Sequence, residues 1–378
     1  MTDQLEPFRV LSLDGGGMRG TYTATYLGRM AATFAKRRDL PALDVGAAFD
    51  LIVGTSTGGI IACALAAGVP LSEIVTLYTE RGPKIFSRPL PSGVGVVNDL
   101  WQRRAALAAG TEVLRSALAD KLGTTTVGEI YAKRGIGLAI NTVEMSQHRA
   151  WVFKTPHLKD VTNHRDDNYS LVDICLATTA APVYRSMAAV DHPDNPAGGY
   201  NVFVDGGLWA NNPVLVGLID ALDMTSPGQE IQIFCLGTCP MPAGEQIAKL
   251  EVDRGLGQWK FGGDAAALGI DAQQFAFDHM AKKLARHVDR KCTIIRFPSD
   301  KVPASLIPFL GLDETRPQAI DALVNQARTD ADMTNSKCAY ADTDAEAALI
   351  CGLFNAAPPL SNPLVSRASV RASRAAVV

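Results

Sequence analysis

The six residues Gly54-Thr55-Ser56-Thr57-Gly58-Gly59 constrain this chain more than any other stretch. Before them runs Phe49-Asp50-Leu51-Ile52-Val53, short, mostly apolar and ending in a β-branched residue. After them runs Ile60-Ile61-Ala62-Cys63-Ala64-Leu65-Ala66-Ala67, too long and too alanine-rich for a strand. The pattern predicts strand, sharp turn and helix, with Ser56 at the apex and its hydroxyl pointing out of the sheet. Gly54 and Gly58 suit such a turn because a side chain at either would collide where strand and helix cross. The helix beginning at Thr57 aims free N–H groups at the place where an oxyanion would form. A Gly-x-Ser-x-Gly run is by itself equally a tight turn; the strand before it and the helix after it make Ser56 a candidate nucleophile.

The 378 residues suffice for a large core. A charged fraction of 20% and a formal net charge of −3 give no basic field for a nucleic acid polymer. Seven cysteines lack paired spacing, and nothing completes a metal site around Cys235 and Cys239, so reduced thiols in a cytoplasmic protein are expected. The start, Met1 to Pro7, is polar and acidic, unlike a signal peptide. Val53 to Leu71 carries no charge, but its glycines and Pro70 leave only Ile60 to Ala67 as a continuous apolar helix, too short for a bilayer.

Arg9 to Leu13 reads as a first buried strand, running into Asp14-Gly15-Gly16-Gly17-Met18-Arg19-Gly20 and a helix that Pro41 closes off. Further on, a helix is expected near Leu71 to Thr79, and a Pro- and Gly-rich loop over 82–98 suits a lid or substrate wall. Helices near 99–109 and 111–121 follow, then strands at Ile136–Asn141 and Ala150–Lys154 and a helix from Ser170. The strand Tyr200 to Val204 ends in Asp205-Gly206-Gly207, with Asn211-Asn212-Pro213 and a helix behind it; Ile231 to Leu236 is another buried strand. Alternating strands and helices indicate an α/β protein with a largely parallel sheet. Beyond residue 240 come a long helix (264–289), a strand (292–297) and a helix (314–330); after Ala357 the composition is that of a disordered tail.

The loop from Asp14 to Gly20 fits two functions. Gly15-x-Gly17-x-x-Gly20 matches a dinucleotide fingerprint, which would make the chain a nucleotide-binding regulator. That fingerprint wants an acid at the end of the second strand, and here the second strand delivers Ser56. The alternative is an oxyanion loop facing the serine, with Arg19 pinning it. For the base, the order Ser56, Asp205, then His279 or His287 suits a triad. Too few strands precede Ser56 for that fold, however, and both histidines lie off the apolar face of their helix. Asp205 is the better base: in a parallel sheet it would emerge at the same carboxyl edge as Ser56, with Gly206 and Gly207 permitting close approach.

Asp14 to Gly20, Gly54 to Gly58 and Asp205 to Gly207, in this order and spacing, resemble the three sequence blocks of the patatin-like phospholipase family; Ala177 to Pro182 and Asn211 to Pro213 resemble its flanking segments. The resemblance spans about residues 8 to 240. It implies a three-layer α/β/α fold and a Ser56–Asp205 dyad, with an oxyanion hole at Gly15, Gly16, Gly17 and Thr57. Asp14, Arg19, Gly54, Gly58, Gly206 and Gly207 are the supporting residues. It further implies hydrolysis of membrane phospholipid esters without metal or cofactor. Residues 241–356 form a C-terminal extension packed on this domain, and 357–378 the tail. That layout resembles bacterial antiphage effector phospholipases switched on by a cyclic dinucleotide. The implied enzyme is cytoplasmic, peripheral at the inner membrane when active, and released from restraint by ligand or by homo-oligomerisation. Arg81, Lys84, Arg88, Arg103 and Arg104 are the candidate cations for such a ligand.

Overall fold

The computed structural model describes residues 5–88, 95–159, 164–239, 247–249, 252–255, 257, 259, 263–298 and 302–361. Eight strands form one sheet: β1 Phe8–Leu13, β2 Leu51–Thr55, β3 Gly137–Glu144, β4 Arg149–Lys154, β5 Ala188–Asp191, β6 Tyr200–Asp205, β7 Ile231–Leu236 and β8 Cys292–Arg296. Their order is β5-β6-β3-β2-β1-β7-β8, with β4 also paired to β3. The central five strands β3, β2, β1, β7 and β8 run parallel. Parallel neighbours need crossover helices on both faces, and the strand sequences show it by burying both sets of side chains. Val10, Val53 and Ile233 belong to the core on one face, while Leu11, Ile52 and Phe234 belong to the core on the other.

The helices are α1 Gly20–Arg37, α2 Thr57–Ala66, α3 Leu71–Thr76, α4 Gly82–Ile85, α5 Gly95–Leu122, α6 Val127–Arg134 and α7 Leu171–Thr178, followed by α8 Gly207–Ala210, α9 Val214–Met224, α10 Gly263–Leu284, α11 Pro317–Lys337 and α12 Ala345–Ala356. α9 and α10 cover one face of the sheet; α1, α2, α7, α11 and α12 contribute to the core on the other. This is the three-layer arrangement expected.

Several local expectations change. The two helices placed at 99–109 and 111–121 are one, α5, because Gly110 packs against the Ile85 carbonyl and does not break the helix. The 82–98 loop begins as a helical turn at Gly82–Ile85, joined to α3 through the π turn Leu77–Arg81; its centre, 89–94, lies outside the described residues. β5 and α12 had not been anticipated. The region beyond residue 240 contributes β8 to the central sheet and α11 against α1, where Tyr22 donates to Asp330 (2.6 Å) and Tyr26 to Thr334 (2.8 Å). Residues 357–360, assigned to the tail, pack on the fold: Ala357 is buried, Pro359 bridges Leu43, and the Leu360 N–H donates to the Ala42 carbonyl. Residues 362–378 lie outside the described residues.

Candidate active site

Local chemistry builds the serine turn. Ser56 follows β2 directly and precedes α2, with φ 55° and ψ −124°, a backbone conformation a side chain adopts only under strain. A Cβ on Gly54 would meet the Gly58 carbonyl oxygen at 2.6 Å, and one on Gly58 would strike the Leu13 and Asp14 carbonyls of the neighbouring strand and loop. Both glycines are therefore required by close approach. The Ser56 N–H donates to Thr178 Oγ1 (2.9 Å), whose own hydroxyl donates to the Asn141 carbonyl (2.5 Å). α7 and β3 thus hold the elbow from the side.

Asp205 arrives by a route the sequence argument did not foresee. β6 is antiparallel to β3, so Asp205 does not emerge at the carboxyl edge of a parallel strand. Asn141 of β3 pairs with Thr55, the last residue of β2, and the next residue, Thr142, pairs with Asp205, the last of β6. β4 holds the opposite edge of β3, so β2 and β6 lie end to end along one edge and their carboxyl termini meet head-on. The meeting brings Ser56 Oγ to 2.6 Å from Asp205 Oδ2. The other carboxylate oxygen accepts the Gly207 N–H at 2.7 Å, and a Cβ on Gly206 would strike the Asn141 carbonyl.

Asp205 is almost fully buried, at 6% exposed. Burial pushes its carboxyl up to about 6, against the opposing pull of the Ser56 hydroxyl, the Gly207 N–H and the charge of Arg185. A carboxyl near 6 is ionised at neutral pH, the form that accepts the Ser56 hydrogen bond.

The glycine loop faces this pair. The Gly15 N–H donates to the Asn211 carbonyl (2.9 Å) and the Met18 N–H to the Leu312 carbonyl (2.8 Å), so neither is free for a ligand. Gly15 thus leaves the expected set of oxyanion donors. Gly16 and Gly17 line the cavity that holds Ser56, and Gly17 has φ 57°. Arg19 Nε donates to the Gly16 carbonyl (3.3 Å), which turns the other side of that peptide, the Gly17 N–H, away from the arginine. Thr57 lies at the first position of α2, lining the same cavity. Asp14 is buried beneath the loop, where burial raises its pKa; Arg296 of β8 pairs with it at 2.5 Å and Gln274 of α10 donates to it at 3.3 Å. Gln273 and Gln274 of α10 also accept hydrogen bonds from the Asn211 N–H (3.2 Å) and side chain (3.4 Å). The extension thereby touches both loops beside Ser56.

Above the pair opens a cavity of about 370 Å³. Ile60, Leu77, Ile85, Phe86, Leu114 and Leu310 make its wall apolar, with Ser56 and Asp205 among the lining residues. Phe86, from the segment expected to form a lid or substrate wall, lines the cavity. His279 and His287 are both exposed on or just after α10, and neither makes a hydrogen bond to the Ser56–Asp205 pair. Among the described residues no cluster of His, Cys, Asp or Glu is placed to hold a metal ion. Asn141, Thr178, Arg185, Asn211, Gln274 and Arg296 escaped the site reading from sequence; Thr178 and Asn211 lay in the flanking segments it had marked, and Asn141, Gln274 and Arg296 in expected strands and helices to which it gave no site role.

A serine strained into a strand–helix turn and hydrogen-bonded to a buried carboxylate is the geometry of a serine hydrolase. Residues 11–218 match the family model described as "Patatin-like phospholipase", and the chain belongs to that family. It is similar to a cGAMP-activated phospholipase of Pseudomonas aeruginosa (34% identity over 278 residues, 73% of this chain and 75% of that one). A cGAMP-activated phospholipase of Vibrio cholerae is 29% identical over 334 residues, 85% of this chain and 89% of that one. A cUMP-AMP-activated phospholipase of Escherichia coli is 30% identical over 235 residues, 61% and 64% of the two chains.

Proposed function

We propose that this chain cleaves carboxylic esters of membrane phospholipids through a Ser56–Asp205 dyad and an acyl-enzyme, and that a cyclic dinucleotide switches it on. The observation that carries the reading is the 2.6 Å hydrogen bond from Ser56 to a buried carboxylate beside an apolar cavity. With its acyl chain in that cavity, a lipid presents its ester carbonyl to Ser56 Oγ. Asp205 takes the hydroxyl proton as the oxygen attacks. The N–H groups of Gly16, Gly17 and Thr57 stabilise the oxyanion. The proton on Asp205 then passes to the leaving alcohol, and water, activated by the same carboxylate, releases the fatty acid.

Among the described residues no helix is long and apolar enough to cross a membrane. A peripheral encounter is supported by exposed apolar side chains at the cavity: Leu208 lines it, and Val183 and Leu268 adjoin lining residues. The names of the relatives support the cyclic dinucleotide; a place in antiviral defence belongs to the same proposal. Of the candidate cations, Arg81, Lys84 and Arg104 are exposed, whereas Arg103 is buried and spends its guanidinium on the Arg88 and Val183 carbonyls, so it drops out of the set. Self-association on activation belongs to the same proposal.

The test is fluorophosphonate labelling, which requires an activated serine, followed by fatty acid release from mixed phospholipid vesicles with and without a panel of cyclic dinucleotides. Labelling at Ser56 and release that rises about a hundredfold with one dinucleotide is expected, corresponding to about 2.7 kcal/mol of preference for the open state. Full turnover that no dinucleotide changes would remove the switch and leave the hydrolase.

A further inference from the structure

Arg185 is the cation of the cavity that the dyad does not explain. It lines the same cavity as Ser56 and Asp205 and is only 5% exposed. Two part-buried arginines of this chain are matched by acids, Arg134 by Asp44 at 2.9 Å and Arg296 by Asp14, and the buried Arg103 donates to the Arg88 and Val183 carbonyls. Among the described residues Arg185 has no acidic partner. Its Nη1 reaches the Gly110 carbonyl at 3.4 Å and its Nη2 the Thr111 hydroxyl at 3.5 Å, both long. The Phe86 ring lies 5.9 Å from its guanidinium carbon, and Nε is enclosed without an acceptor. The negative charge felt there is that of Asp205, whose two oxygens are already engaged by Ser56 and Gly207. Burial lowers the Arg185 pKa to about 10, which still leaves a cation at neutral pH.

Burying an unmatched guanidinium is costly, and a fold that keeps one beside a reaction centre keeps it for a charge that arrives with the ligand. Arg19, the other arginine lining the cavity, is tied to the Gly16 carbonyl and offset by Asp271, another lining residue. A glycerophospholipid carries one phosphodiester anion a few bonds from its ester carbonyl, and the planar guanidinium fork matches phosphate oxygens. We propose that Arg185 is the phosphodiester subsite of this cavity, so that the enzyme selects glycerophospholipids over uncharged esters of the same acyl chains. The proposal rests on the hydrolase reading above and deepens it.

The experiment compares wild type, Arg185→Met and Arg185→Lys as full chains with cGAMP present. Each is assayed on dihexanoylphosphatidylcholine and on dihexanoylglycerol, both below their aggregation limits. Both rates fall in the Met variant, because Arg185 also favours the ionised form of Asp205. The expected signature is in the ratio of kcat/KM between the two substrates, which drops by about ten- to hundredfold, the span of a charge-assisted hydrogen bond. The Lys variant, keeping the charge but losing the fork, falls between. Fluorophosphonate labelling reports whether each variant still folds its serine turn. Should the Met variant fail to fold, the Lys variant decides, with a ratio at least threefold below wild type expected. A labelled variant with an unchanged ratio overturns the subsite alone. Wild-type protein that takes no probe and cleaves neither ester refutes the hydrolase reading, and the subsite with it.

Discussion

Asp205→Asn separates the carboxylate's chemical role from its structural cost. The ordinary value for an aspartate is 3.8, and burial holds Asp205 at about 6. That gap, at about 1.4 kcal/mol per pH unit, means the ionised carboxylate costs the folded state about 3 kcal/mol. The sign follows from the direction of the shift. A raised carboxyl binds its proton more tightly in the fold than in the open chain. Its contribution is therefore complete below pH 3.8 and lost as the pH rises through 6. An asparagine has the same shape and no charge. Its oxygen still accepts the Gly207 N–H, and its amide faces a serine oxygen able to accept. The variant should thus be more stable than wild type by about 3 kcal/mol at pH 8, a rise in Tm of about 4 °C for a chain of this length. The advantage should fade to about 0.5 kcal/mol by pH 4. Hydrolysis should fall at least about a thousandfold, and adding Ser56→Ala should cost little more, because the two residues act as a unit. Urea unfolding at pH 8, 6 and 4, with vesicle hydrolysis alongside, reads both quantities. A stability gain that does not change with pH would mean that Asp205 is not a buried carboxylate titrating near 6. Hydrolysis retained within about tenfold would remove it as the base.

On a neutral ester, kcat/KM should decline below about pH 6 with the slope of a single proton, since Asp205 accepts only when ionised; a profile flat to pH 4.5 would exclude it. Arg296→Met leaves Asp14 buried without its cation, and unfolding in urea should show a loss of about 3 kcal/mol together with slower hydrolysis. Arg296→Lys should recover part of both, and wild-type behaviour of the Met variant would show that β8 does not support the glycine loop. His279→Ala and His287→Ala should each keep hydrolysis within about threefold, and a thousandfold loss in either would bring back a histidine base.

The serine turn was legible because its causes are local. Strand, glycine spacing and helix are encoded within about twenty consecutive residues, and the steric needs of Gly54 and Gly58 act over the same short span. Asp205 was legible as a residue but not as a position. Its glycines marked it, while the parallel-strand argument for its approach was mistaken: β6 runs the other way and meets β2 end to end on β3. Gly15 shows the same limit, since nothing near it in sequence indicates that Asn211 takes its N–H.

By itself, then, the sequence determined the class of fold, the elbow at Ser56, the acid that faces it and the glycine loop opposite, because each is written in short-range pattern. Strand order decided the rest. Asp14 meets Arg296 across 282 residues only because β8 joins the sheet beside β7, and Asn141 braces Thr55 because β3 lies next to β2. Arg185 comes to lie in the cavity only where the turn after α7 folds against α5. No periodicity encodes such neighbours. They are set by which segments close loops onto one another, a property of the whole chain packed at once, and so the charge balance around Asp205 was decided by the tertiary structure alone.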